Sequence, residues 1–210
     1  MFLRLKQRIE FEIENHFALY LILFFVFSAG IIAGIYSNNA LSTTQKQNAL
    51  VYVNSAFTLL KQTKMDFYKL FISAIQNNAI FFIPLILAGL FTITIPLVFI
   101  ILCAKGYLLG FSIMFIFGNY SFFGLIIILL CVLIPSIFSI SCYFLMAKKA
   151  VLNGIDKFKR RDIPLTSKEI VFSMREYIGE AIFMCIILGI FLLIESIVMP
   201  VIMSYILRLY

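Results

Sequence analysis

The sequence has little with which to perform covalent chemistry. Its 210 residues contain one histidine, His16. A Ser-His-Asp arrangement would have to recruit that side chain alone, and nothing in the sequence supports one. There is no carboxylate pair, no cluster of metal-ligating side chains and no glycine-rich loop that could cradle a phosphate. The four cysteines, Cys103, Cys131, Cys142 and Cys185, lie in apolar stretches without Cys-x-x-Cys spacing. That excludes a disulfide framework and a zinc site as organising features, and the thiols read as small packing residues. Charge is scarce as well, at 13% of residues, against about 25% in a soluble domain. The expectation is a protein that is not an enzyme and carries no cofactor or metal.

What the sequence does have is apolar length. From Ala79 to Ala147 it runs through Ile, Leu, Phe, Val, Gly and Ala with one charge, Lys105. A hydrocarbon core about 30 Å thick takes roughly 20 helical residues per crossing. Two crossings would leave helices of near 50 Å, which is too long, whereas three use about 23 residues each. With 63% hydrophobic residues overall, the fold expected is an all-α integral membrane bundle of about five helices. Residues 1–210 then form a single multi-pass domain, with crossings at 17–36, 79–94, 97–117, 122–146 and 178–199. The breaks expected inside the long run are Thr92 to Pro96 and Gly118 to Ser121, because proline lacks the amide donor and Gly-Asn-Tyr-Ser is a turn sequence. Pro84 is expected to kink the second crossing.

Between the first two crossings, residues 37–78 are the largest polar segment away from the ends. Ser42 and Gln45 have capping-box spacing, in which a hydroxyl and an amide satisfy the free N–H groups of a helix start. Leu50, Val53, Phe57 and Leu60 recur at helical spacing, and a second stripe follows with Phe67, Phe71 and Ile75. Short amphipathic helices of this kind lie on a membrane surface or hold a partner. These seven residues are the candidate partner surface. Gly30 with Gly34, and Gly106 with Gly110, form two G-x-x-x-G pairs, each permitting close approach of another helix backbone.

Residues 147–177 form a basic loop holding eight of the seventeen Lys and Arg residues. A net charge of +7 would suggest nucleic acid in a soluble protein. Here the positive-inside rule accounts for it, and lipid rather than nucleic acid is the expected surroundings. With the N-terminus cytoplasmic, the inner faces hold eleven basic residues against five outside. The C-terminus is then extracytoplasmic. Two ionisable residues, Lys105 and Glu195, fall inside apolar spans. A charge there costs at least about 2.5 kcal/mol, so each must be paired, hydrated or drawn to an interface. An ion pair between them and separate escape to water are both compatible with their positions.

The order of these features resembles the stage II sporulation protein M family over nearly the whole chain. The resemblance is carried by Ser28–Gly34 (SAGIIAG) with Ser37 to Asn39, by Gln45–Gln47, by Asn78, by the block from Pro96 through Lys105, Gly106 and Gly110, by Pro135, and by Ile194–Pro200 (IESIVMP). The wider superfamily has Pro-His-Gly and a following Glu in the fourth helix. This chain reads Ile-Pro-Ser-Ile-Phe-Ser there, so no role of that cluster carries over. The resemblance implies a non-enzymatic scaffold of the mother-cell or septal membrane during forespore engulfment. It would localise the peptidoglycan-degrading stage II sporulation proteins P and D. The rival reading is a small transporter subunit, substrate-binding or permease, in which 147–177 would be a coupling helix; no inverted repeat supports it.

Overall fold

Within hydrocarbon every backbone N–H and C=O must be satisfied by the chain itself, which leaves helices as the structure open to so apolar a sequence. The computed structural model of the chain describes residues 2–61, 67–91, 94–159 and 167–209. Its elements are α1 (Phe2–Asn39), α2 (Thr43–Lys61), α3 (Phe67–Ala88), α4 (Ile95–Ile127), a π-helical turn (Ile128–Leu133), α5 (Ile134–Lys159) and α6 (Ser167–Leu209). No strand occurs among the described residues. Among the described residues five stretches are long and apolar enough to cross a bilayer: His16–Asn39, Phe67–Ala88, Ile95–Tyr120, Gly124–Phe158 and Met174–Tyr205. The chain is an all-α multi-pass membrane protein.

Local chemistry explains most of the boundaries. α1 bends at His16, whose backbone leaves helical geometry (φ −126°, ψ 21°) where the charged N-terminal part meets the apolar span. α2 starts on the capping box. The Ser42 N–H donates to Gln45 Oε1 at 3.0 Å, and the Gln45 N–H donates to Ser42 Oγ at 3.3 Å. α4 opens with Pro96 in its first turn, where a missing N–H costs nothing.

The second crossing differs from the sequence reading. Residues 67–78 do not form a surface helix ahead of a span at 79–94; one helix runs from Phe67 to Ala88, with Pro84 inside it. It ends in a turn where the N–H groups of Gly89 and Leu90 donate to the carbonyls of Ile86 and Leu87. Two polar residues of this helix are accommodated in different ways. Lys69 lies in the first turn, within snorkelling reach of the headgroups. Asn78, expected ahead of the helix, sits in its middle with both polar side-chain atoms bonded. Thr92 and Ile93, within the expected break, lie outside the described residues.

At Gly118 to Ser121 helical hydrogen bonding continues through the expected turn, yet the chain folds back. A Cβ on Gly124 would lie 2.8 Å from the Ile116 carbonyl oxygen, although eight residues of straight helix cover about 12 Å. The π-helical turn ends at Leu133, two residues before Pro135. That proline offers no N–H to the carbonyl four residues back, and its ring crowds it, so a wider ladder relieves both.

The connections sort onto two faces. On one, Lys148 stands over the Tyr20 ring at 5.4 Å, and Asn153, Lys157 and Tyr177 meet the turn after α3. On the other, the Tyr120 hydroxyl donates to Asn54 Oδ1 of α2 at 2.8 Å. Between them lies a core that includes Leu23, Phe82, Leu85, Leu102, Tyr143 and Met146, all buried.

Candidate functional site

The two glycine pairs meet each other. A Cβ on Gly30 would strike the Cys103 carbonyl, one on Gly34 the Tyr107 carbonyl, one on Gly106 the Phe27 carbonyl and one on Gly110 the Ile31 carbonyl. α1 and α4 are therefore in backbone contact along two turns, the approach that small residues permit. Ser37 and Tyr107 extend the seam with a hydroxyl–hydroxyl hydrogen bond of 2.6 Å.

Lys105 projects from the opposite side of α4. Its ammonium donates to Asn78 Oδ1 at 3.2 Å and stands 4.7 Å from the Phe81 ring centre and 4.6 Å from that of Tyr143. The Tyr143 hydroxyl donates to the Asn78 backbone carbonyl at 3.0 Å and lies 3.2 Å from Asn78 Oδ1. Asn78 Nδ2 donates to the Ala74 carbonyl at 3.0 Å. The cost of a cation at this depth, about 2.5–3.5 kcal/mol on insertion scales, is offset by one hydrogen bond and two ring faces. No ion pair joins Lys105 and Glu195 among the described residues. The direct pair left open by the sequence is therefore not formed in this structure. Asn78 is the functional residue that sequence reasoning placed wrongly. Asn78 follows Gln76 and Asn77 at the edge of the apolar run that begins at Ala79, so its place inside the helix had no signal in the sequence.

Beside Lys105 lies a cavity of about 190 Å³ between α4 and α5. Lys105, Leu108 and Ser112 line it from one helix and Ser136, Ser139 and Tyr143 from the other. These spacings put each set on one helical face. The Ser112 and Ser139 hydroxyls donate to carbonyls of their own helices. Ser136 and Ser139 are the serines of the Ile-Pro-Ser-Ile-Phe-Ser stretch, to which sequence reasoning carried over no role; serines one turn apart in a spanning helix are unremarkable until the facing lysine is known.

A third polar cluster closes the end of α3. The Asn153 amide donates to the Gly89 carbonyl at 2.8 Å, the Lys157 ammonium to the Leu90 carbonyl at 2.9 Å and the Tyr177 hydroxyl to the Ile86 carbonyl at 2.8 Å. The Thr94 hydroxyl lies 2.6 Å from the Ala88 and Phe91 carbonyls. Carbonyls that a helix end leaves open are thereby satisfied by side chains from distant parts of the chain. Part of the basic loop caps the bundle, then, and is not a free charge cluster.

The candidate partner surface is divided. Leu50 and Val53 are half-buried, while Val51 and Tyr52 keep 63% and 79% of their surface. The side chains of Phe57 and Leu60 lie outside those described. Phe67, Phe71 and Ile75 belong to the spanning helix α3, not to a surface helix. Phe71 packs on the core, and Phe67 and Ile75 remain partly exposed along α3. Among the described residues no group of His, Cys, Asp and Glu could hold a metal ion.

No curated protein and no solved structure matches this chain. A family match does, described as Stage II sporulation protein M and extending over residues 23–200. That range takes in the glycine seam, the Lys105 site, the α3 end cluster and Glu195. This multi-pass, sporulation-related membrane protein therefore belongs to the Stage II sporulation protein M family.

Proposed function

We infer that the chain is a non-enzymatic membrane scaffold that localises peptidoglycan-degrading partners during forespore engulfment. Stage II sporulation proteins P and D are the partners the family resemblance implies. In this reading the N-terminus is cytoplasmic and the C-terminus extracytoplasmic, in the mother-cell or septal membrane, as the distribution of basic residues favours. The observation that carries the reading is α2. It is a 19-residue helix outside the five spanning stretches, packed against α6 and holding Val51 and Tyr52 outward. An apolar pair held in water beside a membrane is a surface for lipid or a partner helix.

Tyr52→Asp is expected to leave the protein inserted and as abundant as wild type, because the side chain it replaces is 79% exposed. Co-purification of the hydrolase partners from sporulating cells should fall at least fivefold. Retention of the partners at equal abundance would remove α2 as the contact. Recovery of an ATPase and a bound solute in place of a hydrolase would favour transport.

A further inference from the structure

The cavity between α4 and α5 is open. Of the six lining residues named above, Tyr143 alone is fully buried, Leu108 keeps 45% of its surface and the rest are partly exposed. It therefore opens on the outer side of the bundle, where the surroundings are lipid. A groove lined by Lys105 and three serines is a poor match for acyl chains. The Ser136 hydroxyl makes no hydrogen bond among the described residues. Lys105 has three N–H donors, of which one is committed to Asn78.

Depth decides what can fill the groove. Lys105 is the eleventh residue of the Ile95–Tyr120 span, within about 5 Å of its midpoint at 1.5 Å per residue. Headgroup phosphates lie at least about 15 Å from the midplane of a 30 Å core. A phospholipid cannot bring its charge to Lys105, whereas a side chain on another transmembrane helix can. Serine is also small enough to let that helix approach closely. We propose that the cavity lined by Lys105, Ser112, Ser136 and Ser139 is a lateral docking groove for a partner's transmembrane helix that presents a carboxylate near the bilayer midplane. This deepens the scaffold reading, on which it rests for the existence of a membrane-anchored partner.

The test uses the full-length chain in proteoliposomes, with energy transfer to synthetic Leu/Ala transmembrane peptides bearing a central Glu, Gln or Lys. The Glu peptide should associate about tenfold more tightly than the Gln peptide. Lys105→Met should abolish the difference, and Lys105→Glu should transfer the preference to the Lys peptide. Ser136→Phe fills the groove and leaves Lys105 in place. It should weaken the Glu peptide about tenfold with an unchanged thermal midpoint, which keeps the proposal testable should the Lys105 variants fail to fold. Equal binding of Glu and Gln peptides would overturn it, as would a Glu preference that survives Ser136→Phe. Displacement of the Glu peptide by millimolar acetate would replace it with a small-carboxylate site. Transfer between two differently labelled copies, lost in Ser136→Phe, would replace it with a self-association face. If the peptides fail while hydrolases still co-purify, the groove falls and the scaffold stands; the converse result separates them the other way.

Discussion

Gly110→Leu is expected to abolish accumulation of the protein in the membrane. A Cβ at this position already meets the Ile31 carbonyl, with the Ile31 Cα and carbonyl carbon both at 2.9 Å. The obstruction is backbone, so no rotamer change on α1 relieves it. Overpacking a flexible core costs about 1–3 kcal/mol, and here the relief must come from separating α1 and α4 along the seam that Gly30, Gly34 and Gly106 also form. Gly110→Ala should lower the level several-fold and leucine should remove it. Gly189→Leu is the control, because a Cβ there meets nothing within 4 Å. Quantitative immunoblotting of membrane fractions measures all three. Wild-type levels of Gly110→Leu would show that the seam contributes nothing to folding.

The second large effect is expected at Tyr177, which is 4% exposed, lies over Gly89 and donates to the Ile86 carbonyl at 2.8 Å. Tyr177→Ala leaves a void over Gly89 and leaves the Ile86 carbonyl with the Gly89 N–H as its remaining donor at the end of α3. Truncating a buried aromatic to alanine costs about 3–5 kcal/mol where the site cannot collapse. Tyr177→Phe keeps the ring and loses one hydrogen bond, which is worth about 0.6 kcal/mol on average in a membrane protein. Packing outweighs polarity in this comparison, so alanine should unfold the purified protein at a markedly lower temperature and phenylalanine at nearly the wild-type one. Equal loss in both variants would assign the stability to the hydroxyl.

Much of this was legible in the sequence because the bilayer imposes one strong constraint on length and polarity. The apolar run from Ala79 to Ala147 required helical crossings, and the capping spacing of Ser42 and Gln45 located the start of α2. The failure at Phe67–Ala88 is equally physical. The expectation took residues 37–78 as one polar segment, and Asn78 at its end was read as lying ahead of the span. Once Asn78 is joined to Lys105 and Tyr143, an amide in the middle of a membrane helix is satisfied. Hydropathy along the chain cannot show that, because the partners lie 27 and 65 residues away. The same applies to Asn153, Lys157 and Tyr177, which read as an ordinary basic loop and helix start until the open carbonyls of α3 are placed beside them. The glycine pairs were visible as motifs; that they face each other was not, since spacing fixes a face and leaves its neighbour open. Lys105 and Glu195 were conspicuous as charges in apolar spans, but the cavity beside Lys105 depends on how α5 turns Ser136 and Ser139 toward α4.

In the proposed topology α2 faces the cell wall while the Lys148–Lys157 face lies in the cytoplasm. This topology is tested most directly by cysteine labelling in a background with the four native cysteines replaced. Tyr52→Cys and Asp156→Cys, both at exposed positions, are treated in intact protoplasts with a membrane-impermeant thiol reagent. Tyr52→Cys should label in intact cells and Asp156→Cys only after lysis. Labelling of Asp156→Cys in intact cells with protection of Tyr52→Cys would invert the topology and place the proposed partner surface on the wrong side of the membrane.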